Sequence, residues 1–216
     1  MFKKGTKVLI TAGPTYERID PVRFIGNFST GKMGIEIAYS LYKMGCEVTL
    51  ILGPTHLQVE EFINVIRVES CEEMFISCMN YFKESDVIVC SAAVADFKPI
   101  NIADNKIKKT NDNNNISIEL TKTIDILSTM GKIKTKEQFL VGFALETKDV
   151  LDYARKKLVS KNADMIVMNI PSKNTGFATD TNKVTLITKN LEESTDILSK
   201  KEIANIISDK IYTMYK

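Results

Sequence analysis

Lys7 to Gly34, KVLITAGPTYERIDPVRFIGNFSTGKMG, decides the fold of this chain. Val8-Leu9-Ile10 is an apolar run of the kind that forms a buried strand. It ends in Ala12-Gly13-Pro14-Thr15, which has to leave the sheet in a tight turn. A long polar loop follows. Ser29-Thr30-Gly31 then opens a helix whose apolar face is Met33, Ile37, Ala38 and Leu41, at helical spacing. Ser29 and Thr30 are natural caps, and Gly31 permits close approach to the helix start. A strand end, a long loop and a helix N-terminus with free N–H groups make a site for anionic oxygens.

Two strand–loop–helix motifs fit this stretch badly. A dinucleotide fingerprint needs G-x-G-x-x-G directly after the strand, and here Pro14 replaces a residue whose N–H would be needed. Gly26 to Lys32, GNFSTGK, matches the start of a P-loop, but the next residue is Met33, which cannot ligate Mg²⁺ as Ser or Thr would. The run also lies far from its strand.

The chain has 216 residues, which predicts one domain spanning 1–216. With 44% hydrophobic and 26% charged residues, the composition is that of a globular protein with a full core. A net charge of +2 argues against nucleic acid as the main partner. No apolar run is long enough to cross a membrane. Met1 to Lys4 leads straight into a strand, so no signal peptide is expected and a cytoplasmic location is. Cys46, Cys71, Cys78 and Cys90 form no CxxC pair and are expected to be reduced, buried thiols. His56 is the sole histidine and reads as a loop residue after Gly53-Pro54-Thr55. Chemistry then falls to Asp, Lys, Asn and backbone groups, a set that suits phosphate and nucleotide handling.

The rest of the chain alternates strands with helices. Glu47–Leu52, Asn64–Val68, Asp86–Ser91, Phe139–Ala144, Met165–Asn169 and Lys183–Ile187 read as strands. Ser70-x-x-Glu73 and Ser199-x-x-Glu202 are capping boxes that open helices, the first with Met74, Cys78 and Phe82 on its inner face. Asp125–Lys132 reads as a short helix. Asp149–Lys161 is another, with Val150, Ala154, Leu158 and Val159 inward and a cationic end. Gly176 to Asn182 reads as a turn. The pattern predicts an α/β fold, Rossmann-like, with helices on both sides of a mostly parallel sheet. One region breaks the rhythm. After Ala92 to Pro99 the chain runs through Asn105-Lys106-Ile107-Lys108-Lys109, an Asn-rich turn, and Ile116 to Leu120. This predicts a β-hairpin or flap over about residues 98–120. On composition alone its lysines are a solvated edge that blocks strand pairing.

Five motifs now carry a resemblance. They are Ala12-Gly13-Pro14-Thr15 with Ile19-Asp20-Pro21-Val22-Arg23; Asn27-x-Ser29-Thr30-Gly31-Lys32-Met33-Gly34; Ala92-Ala93-Val94-Ala95-Asp96; Lys106-Ile107-Lys108-Lys109; and Gly142-Phe143-Ala144-Leu145-Glu146-Thr147. Asp164–Asn169 and Asn182–Leu186 agree as well. Together and in order, they resemble the bacterial phosphopantothenoylcysteine synthetases over nearly the whole chain. In most bacteria that domain follows a flavin-dependent decarboxylase in one chain. Here the sequence starts at the synthetase's first strand, so a stand-alone synthetase with a separate decarboxylase partner is expected. Thr30 stands where many relatives have a second Ser, which keeps the hydroxyl.

The resemblance implies a ligase that joins 4′-phosphopantothenate to L-cysteine. CTP activates the carboxylate as an acyl-cytidylate with Mg²⁺ present, and the cysteine amine then displaces CMP. It implies that Asn27 contacts the intermediate and that Lys106 belongs to a mobile flap, which turns the lysine run from edge charge to function. It places Asp96, Lys157, Lys161, Phe143 and Ala144 at the nucleotide, and Gly13, Ser29 and Gly31 near phosphate. Asn27, Ser29 and Thr30 are the substrate-binding candidates, and no metal ligand is named. Arg23, Glu146 and Asn169 are left open between scaffold and site. Family members dimerise, and the Asn101–Leu120 hairpin is the candidate surface.

Two other classes compete. Tyr153-x-x-x-Lys157 has the spacing that a short-chain-type NAD(P)-dependent oxidoreductase needs to set a phenol and an ammonium on one helix face. A nucleotide-sensing binding module would use the same fold without turnover.

Overall fold

The computed structural model describes residues 1–108, 115–145, 150–169 and 179–215. Lys109 and most of the Asn-rich turn, Glu146-Thr147, and the Gly176-Phe177-Ala178 portion of the expected turn lie outside the described residues. In chain order the elements begin with β1 (Lys7–Ala12), β2 (Tyr16–Arg18), β3 (Phe24–Gly26), α1 (Lys32–Lys43), β4 (Glu47–Leu52), β5 (Asn64–Arg67), α2 (Cys71–Phe82) and β6 (Val87–Cys90). Next come β7 (Phe97–Pro99), β8 (Leu120–Lys122), α3 (Ile126–Ile133), β9 (Phe139–Leu145), α4 (Val150–Ser160) and β10 (Met165–Asn169). The last are β11 (Thr181–Asn182), β12 (Val184–Ile187), β13 (Glu192–Ser194), β14 (Leu198–Ser199) and α5 (Lys200–Tyr215).

Eight strands form one sheet in the order β13-β12-β10-β9-β6-β1-β4-β5. The six from β10 to β5 are parallel, and β12 and β13 add an antiparallel margin. Counted among the parallel strands alone, the order is that of a Rossmann sheet, with its reversal between β1 and β6. Period-two alternation in β1 divides the core. Val8, Ile10 and Ala12 face α1 and α5, with Ile37, Leu41, Ile203 and Ile207 in the same cluster. Leu9 faces the other way, toward Met74 and Cys78 of α2 and Met130 of α3. Every strand of the sheet's middle is therefore covered on both sides, which is why these strands read as continuous apolar runs.

Four local expectations need correction. The long loop after β1 contains a hairpin of its own, β2 with β3, held by Tyr16 stacked on Phe24 at 3.8 Å. Three-residue strands carry too little periodicity to be seen in sequence. Ser29 and Thr30 do not cap α1. The cap position is Gly31 at φ 80°, with no side-chain cap bond. A Cβ there would lie 3.1 Å from the Gly13 nitrogen, so both conformation and space demand glycine. Among the described residues the expected hairpin pairs at its base, β7 with β8 and the Ile100 N–H on the Glu119 carbonyl, and Ile116 to Glu119 is not strand. Finally, Val159 is not inward: it is 80% exposed, while Ala154 and Leu158 of α4 are buried. Of the two capping boxes, that of α5 is fully reciprocal, Glu202 N–H to Ser199 Oγ and Ser199 N–H to the Glu202 carboxylate. In α2 the Glu73 carboxylate reaches one residue further back, to the Glu69 N–H.

Candidate active site

Ligands of open α/β sheets bind at the carboxyl ends of strands where the order reverses. Here that is the gap between the ends of β1 and β6. Pro14 and Ala93 extend it by one isolated parallel bridge. Two cavities meet there. One encloses about 720 Å³ and the other about 130 Å³. Ala92, Ala93, Phe143 and Leu145 line both and form the wall between them.

The larger cavity gathers Asn27, Asp96, Asp125, Lys157 and Lys161. Asn27 Nδ2 donates to the Ala93 carbonyl (2.9 Å) and the Val94 carbonyl (3.3 Å). The amide thus ties the end of the β2–β3 hairpin to the shared wall. Lys157 Nζ donates to the Phe143 carbonyl at 2.8 Å. Lys161 Nζ lies 2.7 Å from Asp125, whose other oxygen caps α3 by accepting from the Ser128 N–H. Burial alone would raise the Asp125 carboxyl; the Lys161 hydrogen bond, the Ser128 N–H and the nearby ammoniums outweigh it and hold the pKa below the ordinary value. Cys90 also lines this cavity, but burial pushes its thiol up to about 12, and Cys46 likewise. Neither is a thiolate nucleophile near neutrality.

The smaller cavity is walled by the start of α1, Ser29 to Gly34, together with Ala144, Asn169, Asn182 and Lys200. Ser29 Oγ accepts from the Gly31 N–H at 3.3 Å. Thr30 belongs to the same wall, and its carbonyl accepts from Thr55 Oγ1.

The structure therefore brings Asn27, Asp96, Phe143, Lys157 and Lys161 to one chamber, and Ser29, Thr30, Gly31, Phe143 and Ala144 to the other. It does not bring Gly13 to either lining; Gly13 stands behind Gly31 and supports it. Lys106 is exposed and lines neither cavity. Its neighbour Ile107 is gripped at both backbone atoms. The Ile107 N–H donates to Asp20, and its carbonyl accepts from Arg23, each at 3.1 Å. Asp20 is buried and also accepts from the N–H groups of Val22 and Arg23. The Arg23 guanidinium, then those N–H bonds, hold its carboxyl far below the usual carboxylate range. Arg23, left open by the sequence, thus anchors the segment leading to Lys106. Tyr153 and Lys157 share a helix but not an environment: the phenol is 54% exposed, with Lys156 5.9 Å above its ring.

Sequence reasoning missed Asp125, Asn182 and Lys200. Asp125 announced itself only as a helix start. The other two lie far along the chain and reach the cavity by topology alone.

These features define an α/β protein of Rossmann-like topology with a divided cavity at its switch point. The chain belongs to the family of DNA/pantothenate metabolism flavoprotein C-terminal domains, whose model matches residues 3–215. It is 46% identical over 213 residues to a cysteine/cysteine sulfinic acid decarboxylase from an unknown prokaryotic organism, covering 97% of this chain and 59% of that protein. It is 42% identical to the coenzyme A biosynthesis bifunctional protein CoaBC of Vibrio cholerae, covering 96% of this chain and 52% of the relative. The chain therefore spans little more than half the length of these relatives. Among solved structures, the C-terminal domain of CoaBC superposes with a TM-score of 0.83 at 42% identity, covering 98% of this chain and 96% of that one.

Proposed function

We propose that the chain is a ligase of coenzyme A biosynthesis that joins 4′-phosphopantothenate to L-cysteine through an acyl-cytidylate, consuming CTP. One observation carries the reading. Two chambers share a wall at Ala92-Ala93, with Asn27 fixing that wall and two lysines beside it, so a nucleotide and an acid can meet across a single phosphorus atom. The decarboxylase name of one relative belongs to a protein of which this chain matches 59%. None of the cysteines at hand is an activated thiolate.

In the first half-reaction, a carboxylate oxygen bonds to the α-phosphorus and pyrophosphate leaves. Two anions must approach each other, so fixed cations and N–H donors supply the main rate term. Lys157 and Lys161 are held by Phe143 and Asp125 at the larger chamber and need little reorganisation. Mg²⁺ fits as an ion carried in by phosphate oxygens. Asp96 and Asp125 offer hard oxygen donors there, and no cluster of three or more His, Cys, Asp or Glu side chains that could hold a metal occurs among the described residues. When bound, it neutralises triphosphate charge. In the second half-reaction, the cysteine amine bonds to the acyl carbon, loses a proton and displaces CMP. The anhydride is already activated, so no histidine is required. The segment behind Lys106, clamped by Asp20 and Arg23, is the base on which a flap closes to exclude water.

A homodimer, cytoplasmic placement and a separate phosphopantothenoylcysteine decarboxylase acting on the product complete the proposal. For the dimer, the β2–β3 and β7–β8 hairpins expose Val22, Phe24, Phe97, Ile100 and Leu120, a set of apolar side chains that a second copy would cover.

The test is pyrophosphate release with 4′-phosphopantothenate, offering CTP and ATP in turn, with and without cysteine and with and without Mg²⁺. Release that needs the acid, Mg²⁺ and CTP, with the amide formed only when cysteine is added, supports the ligase. Binding of CTP without turnover would make the chain a nucleotide sensor instead.

A further inference from the structure

Lys200 opens α5 and lines the smaller cavity, yet only 5% of its surface is exposed. Its ammonium has no hydrogen bond or ion pair among the described residues. The carboxylate best suited to neutralise it, Asp180, is engaged by Lys32 at 2.5 Å. Asp180 touches Lys200 through the backbone alone, accepting from its N–H at 2.9 Å. Burial lowers the Lys200 pKa, the charge of Lys32 lowers it further, and Asp180 opposes both. The side chain is buried while its ammonium opens on the cavity, and no packing need explains a cation there, because an apolar side chain would fill the same space.

Two more observations fall in the same cavity. Asn169 Oδ1 is buried with no hydrogen-bond partner among the described residues. The first turn of α1 opens there with no side-chain cap, so its N–H groups are uncommitted. A cation on the cavity wall and a helix N-terminus both ask for an anion. The orphan acceptor asks for a donor, which a protonated phosphate oxygen or its hydration water supplies.

We propose that Lys200, with the N-terminus of α1, binds the β,γ-diphosphate of the nucleotide and stabilises it as the leaving group; this rests on the ligase reading above. Continuity with the larger chamber points to this ligand: the two share the Ala92-Ala93 wall, so a nucleotide seated beside Asp96, Lys157 and Lys161 would reach the start of α1 and Lys200 with its outer phosphates. As the carboxylate oxygen bonds to the α-phosphorus, the bond to the bridging oxygen breaks. Its electron pair leaves on pyrophosphate, and the Lys200 ammonium neutralises the charge that grows there.

The experiment compares wild type with Lys200→Met by calorimetric titration of pyrophosphate, CMP and 4′-phosphopantothenate in Mg²⁺ buffer. The expected result is pyrophosphate affinity lower by about tenfold or more, the loss of one charge-assisted hydrogen bond, with CMP and acid binding unchanged. Lys200→Gln keeps a polar side chain of similar size, and it decides the matter if the methionine variant fails to fold. Unchanged pyrophosphate affinity overturns the assignment. So does a loss confined to 4′-phosphopantothenate, which would put the acid's own phosphate in this chamber. Wild type that binds neither CTP nor pyrophosphate would instead sink the ligase reading itself.

Discussion

The two chambers hold their lysines in opposite ways. In the larger one, Lys157 and Lys161 are each committed to an oxygen of the protein, a strand carbonyl and a helix-capping carboxylate. In the smaller one, the Lys200 side chain is buried and its ammonium has no such partner among the described residues. A committed lysine is already oriented and loses little on receiving a ligand. An uncommitted one lowers stability until an anion arrives. The first arrangement suits a part of the ligand that stays through both half-reactions. The second suits a part that must bind and then leave.

The largest expected effect is at the wall between them. Asn27→Asp removes the donors to Ala93 and Val94 and sets a carboxylate against two carbonyl oxygens. Turnover should fall about a hundredfold or more, the usual cost of losing a preorganised group of this kind. Steady-state amide formation measures it, and activity within about threefold of wild type would reduce Asn27 to scaffold.

Next is the flap. Lys106→Gln should leave CTP binding intact and slow the cysteine step by roughly tenfold or more, as expected when closure is impaired. Rapid quench with and without cysteine should find bound acyl-cytidylate accumulating. Abolished CTP binding would place Lys106 in the ground-state nucleotide site instead. A smaller effect is expected from Lys161→Met, which strips Asp125 of its ammonium partner. The pair is partly exposed, so CTP binding should weaken only about fivefold. A loss as large as that of the Lys200 variant for pyrophosphate would erase the distinction between the chambers.

The smallest effect separates the entrance from the walls. Asp20 has a strongly depressed pKa, from the Arg23 guanidinium first and then from backbone N–H groups. Its contribution to stability is therefore full above the unfolded carboxyl value of about 4 and is lost as the pH falls toward the folded one. Melting curves of wild type and Asp20→Asn should differ at neutral pH, begin to converge below roughly pH 4 and meet only as the pH approaches the folded value. A difference that persists to low pH would mean that shape, not charge, holds the Ile107 segment.

What the sequence made legible follows periodicity. The parallel strands are apolar runs bounded by Gly, Pro and charged residues, and α2 and α5 begin at serine capping boxes. These are local signals, and the sheet followed from them. The β2–β3 hairpin did not, because three residues cannot show a period and its stability comes from Tyr16 on Phe24. The cap of α1 was misplaced because two hydroxyl residues stand before a glycine whose positive φ leaves no chemical mark except its identity. At the site, Asn27, Phe143 and Lys157 could be found from motifs that sit at strand ends and on a helix. Lys200 could not. Its significance is a matter of burial and of Asp180 being engaged elsewhere, and neither is a property of neighbours in sequence.

The antiparallel margin has a consequence of another kind. An open sheet ends in unpaired N–H and C=O groups, which can recruit strands from other molecules. Here that side ends in β13, whose Glu192, Glu193 and Ser194 are all exposed, with Arg155 and Lys210 on the two carboxylates. The strand beneath it, β12, is Val-Thr-Leu-Ile and wholly buried. Removing Glu192 to Ser194 would make that β-branched strand the rim of the sheet. Such a deletion should refold into higher-order aggregates at protein concentrations where the intact chain stays clear by light scattering. The acidic strip thus acts as a guard against self-association through the sheet.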